Sequence, residues 1–158
     1  MRGNTRNSPK VIIDTSTFYS ALYNRKGNES YLFVLSDVGM CSIHILDYVL
    51  DELKEIYQKR DMDFHLVLEL LENIDNIYID ELKDITEEEV QLAKRIIPDL
   101  KDRPIFIYSK RMTHKYRDIY LVSGDKGFFK KEVSKELDYR VLRTREFIEM
   151  ITEDDSNE

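Results

Sequence analysis

The chain has 158 residues, enough for one domain with a substantial core. Hydrophobic residues make up 42% of it, charged residues 35%, and the formal net charge is −7, the profile of a folded, water-facing chain. No apolar run approaches the roughly 20 residues a membrane helix needs, "MRGNTRNSPK" carries no apolar segment to predict a secretory signal, and the single cysteine, Cys41, excludes an internal disulfide and a Cys-rich zinc site. A cytoplasmic location is the default expectation.

Residues 1–9 predict a flexible N-terminus. "KVIIDTSTF" then reads as a buried strand, Val11–Asp14, ending on an aspartate and a hydroxyl-rich turn. Residues 29–38 have the apolar spacing of a helix, and Met40–Ile43 reads as a short strand. A strongly amphipathic helix follows over Ile45–Lys59, and another over Asp63–Ile74, where Leu66, Leu70 and Leu71 share helical spacing. Ile77–Ile79 is a short strand. Thr86 and Glu89 form a T-x-x-E capping box that starts a helix to about Ile97. Pro104 fits the first turn of the next helix. Ile119–Ser123 and Tyr139–Leu142 read as strands, Thr144–Ile151 as a closing helix and 152–158 as an acidic, flexible tail. Strands separated by helices predict one α/β/α sandwich with a central parallel sheet over 10–151.

In open parallel sheets, ligands sit beyond the carboxyl ends of the strands. Asp14, and Asp125 in "LVSGDKGFF", both stand there. Each also has a structural reading: Asp14 as a helix N-cap, Asp125 as part of a Gly-Asp-Lys-Gly turn. On the helix 45–59, stepping about 100° per residue puts Leu46, Val49, Leu50, Leu53 and Tyr57 in one stripe. Asp51 points away from that stripe and Glu52 lies at its border, either as a site carboxylate or as a boundary residue reaching water. Asp102, two residues before Pro104, is either a site residue or an ordinary N-cap.

Charge is segregated along the chain. Residues 47–100 carry 6 basic and 16 acidic side chains, whereas 101–145 carry 13 basic and 6 acidic. A locally basic face lets an acidic protein hold a polyanion; the plainer alternative is a solvated surface.

Asp14 in "VIIDTST", Glu52 in "VLDELKEI", Asp102 in "KDRPIF" and Asp125 in "LVSGDKGF" together resemble the four acidic positions of PIN-domain ribonucleases. "SALYNRKGNESYLFVL" and "DIYLVSGDKGFF" extend the resemblance, which covers about residues 10–148. The sequence departs from the family pattern at Ser109, where a small Ala is usual, and at Gly127, where an acid is usual; Asp102 is read as the lone acid of its stretch. The resemblance implies a PIN-like fold and hydrolysis of RNA to 5′-phosphate and 3′-hydroxyl ends. It implies Mg²⁺ or Mn²⁺, hard ions that take oxygen ligands, neutralise phosphate and activate water. Asp14 and Asp125 would be the main metal ligands, with Glu52 and Asp102 binding directly or through water. Ser16 and Ser123 would hydrogen-bond the carboxylates or phosphate. Lys126, Lys110, Arg111 and Lys115 would contact the RNA backbone, with Arg117, Lys130 and Lys131 beside them. Tyr108, Tyr116 and Phe129 would stack bases or pack in the core. His44, His65 and His114 are read as ordinary residues, and Cys41 as buried and inert.

Two functions of different class follow. One is a metal-dependent endoribonuclease, either the toxin of a toxin–antitoxin pair with a protein antitoxin as partner or an RNA-processing nuclease, and in either case a possible homodimer. The other is a catalytically silent PIN-like module that binds RNA or protein.

Overall fold

Val11, Ile12 and Ile13 have no solvent exposure, and the strand they form, β1 (Lys10–Ile13), lies at the centre of the sheet. The computed structural model describes residues 8–156. The expected flexible N-terminus therefore falls, at residues 1–7, outside the described residues. β2 (Ser42–Leu46) and β3 (Ile77–Asp80) extend the sheet on one side of β1, and β4 (Ile119–Val122) and β5 (Val141–Leu142) on the other. The order is β3-β2-β1-β4-β5, and every pairing is parallel. A parallel pair cannot be closed by a hairpin, so helices make the crossovers and cover the faces.

Those helices are α1 (Thr15–Tyr23), α2 (Asn28–Asp37), α3 (Asp47–Lys59), α4 (His65–Asn73), α5 (Glu87–Ile96), α6 (Arg103–Lys115), α7 (Lys131–Glu136) and α8 (Thr144–Ser156). The result is the expected α/β/α sandwich with a central parallel sheet. Phe18 on α1, Phe106 on α6, Phe128 in the 3-10 turn Lys126–Phe129 and Phe147 on α8 are fully buried. Truncating one such ring to Ala typically costs about 3–5 kcal/mol.

Two boundaries differ from the sequence reading. β2 runs Ser42–Leu46, so Ile45 and Leu46 belong to the strand rather than to the following helix. β2 is paired on both sides and buried at all five positions, so it has no period-2 alternation to mark its end. α8 continues to Ser156, and the expected domain boundary at 151 falls inside that helix. The Thr86–Glu89 capping box forms as expected, with both reciprocal bonds.

A partly buried polar chain joins the far side of the sheet to α6. His44 Nδ1 lies 3.1 Å from Asp80 Oδ2, the Tyr108 hydroxyl donates to the same carboxylate, and Tyr78 stacks on His44 at 5.1 Å. The His44 hydrogen bond, opposed by burial and assisted by Tyr108, holds Asp80 below the usual carboxylate range. Tyr108 is thus a core residue, not a base-stacking one.

The chain proceeds from β1 outward to β2 and β3, then returns to place β4 on the opposite side of β1. The crevice at this switch point, between the ends of β1 and β4, is where an open parallel sheet presents its ligand site.

Candidate active site

Asp14 is the first residue past β1, in extended conformation, and it caps α1: its Oδ1 accepts the Thr17 amide at 2.9 Å. Ser16 Oγ lies 3.4 Å from the same oxygen. Its other oxygen, Oδ2, accepts the Ser123 hydroxyl at 2.5 Å. A buried carboxylate is tolerated only with such partners, and Asp14 is buried. The capping and site readings therefore coexist in one side chain. The contact follows from register: Ile13 pairs with Val122, so the next residues, Asp14 and Ser123, emerge side by side.

Ser123 Oγ also accepts the Asp125 amide at 3.0 Å. Asp125 in turn caps the 3-10 turn Lys126–Phe129, accepting the Gly127 amide at 2.9 Å. A Cβ on Gly127 would stand 3.3 Å from Asp125 Oδ1, a close approach that the carboxylate would have to give way to. Glu52 comes from α3 and accepts the Thr15 hydroxyl at 2.5 Å, tying α3 to the start of α1. Asp102 sits at the junction of the 3-10 turn Leu100–Asp102 and α6, with Pro104 in the first helical turn. Its side chain makes no capping bond, which leaves the carboxyl to the cleft.

All four acids, with Ser16, line one cleft of about 490 Å³. Asp102 is pushed up to about 8, first by burial, then by its hydrogen bond to Asp125 and by the charges of Asp125, Asp99 and Asp14. Carboxylates this crowded cannot all ionise without a counter-charge. Their all-oxygen donor set suits Mg²⁺ or Mn²⁺. Among the described residues, no three acidic, His or Cys side chains gather into a finished metal cage.

The basic residues expected to contact RNA are not among those that line the cleft. Lys110 pairs with Glu136 at 2.8 Å. Arg111 grips Glu89 at 2.7 and 2.8 Å and also donates to the carbonyls of Lys83 and Asp84 at 2.6 and 3.0 Å. Lys115 is exposed, its Nζ 5.4 Å from the Tyr116 ring centre. None of the three lines the cleft, and neither does Lys126, which is exposed next to Asp125. Phe129 is covered by the Arg143 guanidinium at 4.1 Å, and Tyr116 lies under Lys10 at 4.8 Å. Cys41 is buried and its thiol is pushed up to about 12 by burial, in keeping with an inert side chain.

The cleft's own cations are Lys59, Arg60 and Lys101, and its further members include Thr15, Tyr19, Glu55, Ile56 and Asp99. Asp99 corrects the reading of Asp102 as the lone acid of its stretch. On α3 the signal was present: Glu52, Glu55, Ile56 and Lys59 follow the i, i+3, i+4, i+7 spacing of one helical face.

Fold and cleft together define an α/β/α protein with an acidic pocket at the switch point of a parallel sheet. No family model matches the sequence, and no curated protein does. Among solved structures, the chain is similar to the PIN domain endonuclease Utp24, at 12% identity and a TM-score of 0.40, over 81% of this chain and 76% of that one.

Proposed function

We propose that the chain is a metal-dependent endoribonuclease of the PIN type. The observation that carries this reading is the meeting of Asp14, Glu52, Asp102 and Asp125, from four separate parts of the chain, in one cleft at the switch point. Asp14, Asp125, Asp102 and Glu52 would hold Mg²⁺ or Mn²⁺, which supplies charge neutralisation at the phosphate and an activated water. Ser123 fixes the rotamer of Asp14, and Thr15 fixes that of Glu52. Glu52, reaching the cleft from α3, would orient a water. Burial and the neighbouring Asp125 push Asp102 up to about 8, and a cation held beside it would favour its ionised form.

The experiment is incubation of purified protein with mixed single-stranded RNA, with Mg²⁺ or Mn²⁺ or with EDTA, followed by end-group analysis. Metal-dependent fragments with 5′-phosphate ends are expected. The second reading is a silent PIN-like module; RNA retention without cleavage in either metal is its outcome. A toxin or RNA-processing role in the cytoplasm, a protein antitoxin and a homodimer belong to the same proposal. No described helix is long and apolar enough to cross a membrane.

A further inference from the structure

We infer that the cleft continues along α1 into a base-stacking subsite for single-stranded nucleic acid, formed by Tyr19, Tyr23 and Arg60. This rests on the nucleic-acid substrate proposed above and says how the strand is held.

Tyr19 lines the same cleft as the four acids. Tyr23 stacks on it, with ring centres 5.9 Å apart and planes 15° from parallel. The two are one helical turn apart, so they step away from Asp14 along α1 by roughly 6 Å, close to the spacing of successive nucleotides in an extended strand. Arg60, at the end of α3, donates to the Tyr19 hydroxyl at 2.6 Å, and its guanidinium carbon lies 5.2 Å from the ring centre. The inner ring is thereby fixed in place, while the outer one, Tyr23, is 78% exposed. An aromatic side chain that open, backed by a stacked partner and a guanidinium, presents a free π-face to a base.

The charges agree with this direction. The inner cleft is acidic and repels a phosphodiester backbone everywhere except at its rim. Lys59 and Arg60 stand at that rim, and Arg25 and Lys26 follow Tyr23 in the exposed turn after α1. Aromatic faces interleaved with unburied cations are the makeup of sequence-tolerant single-strand sites. The basic face of α6 offers no rival path through its best-placed members, because Lys110 and Arg111 are engaged with Glu136 and Glu89.

The test is equilibrium binding of a fluorescent oligouridine of about a dozen nucleotides in EDTA, where no cleavage confuses the signal. An abasic ribose-phosphate strand of the same length is run beside it. Tyr23→Ala should weaken oligouridine binding about ten-fold, leave abasic binding unchanged and keep the salt slope. Tyr23→Phe should bind as the parent does. Arg60→Ala should flatten the salt slope by about 0.7. The inference is overturned if Tyr23→Ala binds oligouridine as the parent does. It is equally overturned if the abasic strand suffers the same loss, which would make the pair a helix-stabilising contact, or if the parent binds no single strand at low salt. Base-dependent binding without cleavage in Mg²⁺ leaves this subsite standing and removes the nuclease. Cleavage with Tyr23→Ala binding unchanged does the reverse.

Discussion

Ser123 donates its hydroxyl to Asp14 at 2.5 Å, joining the ends of two neighbouring strands that lie more than a hundred residues apart in the chain. The same oxygen receives the Asp125 amide, so one serine positions two of the four acids. Ser123→Ala leaves the buried Asp14 carboxylate short of a donor. We expect a loss of about 1–3 kcal/mol in urea unfolding and a 10- to 100-fold fall in RNA cleavage, roughly the effect of removing a ligand's hydrogen-bond partner. Unchanged cleavage with reduced stability would leave the serine a purely structural role.

Asp102 gives a pH signature in metal-free protein. Its folded value, about 8, lies above the ordinary 3.8, so protonation favours the fold. That contribution is complete below the unfolded value and is lost as pH rises through about 8. Thermal melts in EDTA should therefore show a component that declines between acid and mildly alkaline pH, and Asp102→Asn should abolish it. At neutral pH and above, Asp102→Asn should melt higher than the parent, because a crowded charge is gone. A parent profile flat over this range would contradict the crowding.

Arg111 has partners within the protein. Its bonds to Glu89, Lys83 and Asp84 pin the start of α5 and the preceding loop to α6. With hydrogen bonds to a charged group discounted for partial exposure, Arg111→Ala should cost about 1–2 kcal/mol. RNA affinity of the folded variant should not change. A clear drop in affinity at unchanged stability would instead show contact with substrate.

The sheet and the four acids were legible because each acid terminates or borders a pattern with a short-range cause. Asp14 and Asp125 follow apolar runs, Asp102 precedes Pro104, and Glu52 flanks a helical stripe. The pairing within the basic segment was hidden for a different reason. Composition counts Lys110 and Arg111 as free charge, but their partners, Glu136 and Glu89, arrive from α7 and α5 and depend on tertiary packing. The β2 boundary was hidden because a strand buried on both faces and paired on both edges looks like the apolar start of a helix. Tyr19 was missed since a Tyr one turn past a capping aspartate has no distinctive spacing; only its stack with Tyr23 and its place in the cleft single it out.

On α3, neighbouring acids separate site from surface. Glu52 faces the cleft and holds Thr15, whereas Asp51 is exposed. Glu52→Gln should lower cleavage at least ten-fold, in the range seen when a positioned acid–base or ligand group is removed. Asp51→Asn should leave cleavage and melting temperature as they are. Reversal of this pair would mean that the cleft is not the reactive site.

The most direct test of the account is single-turnover cleavage of a labelled single-stranded RNA by the parent protein and by Asp14→Asn, each with Mg²⁺, with Mn²⁺ and with EDTA. Cleavage by the parent in at least one metal is expected, with none in EDTA and none by Asp14→Asn, whose fold persists. Equal cleavage in EDTA, or by a folded Asp14→Asn, would contradict a reaction built on these carboxylates.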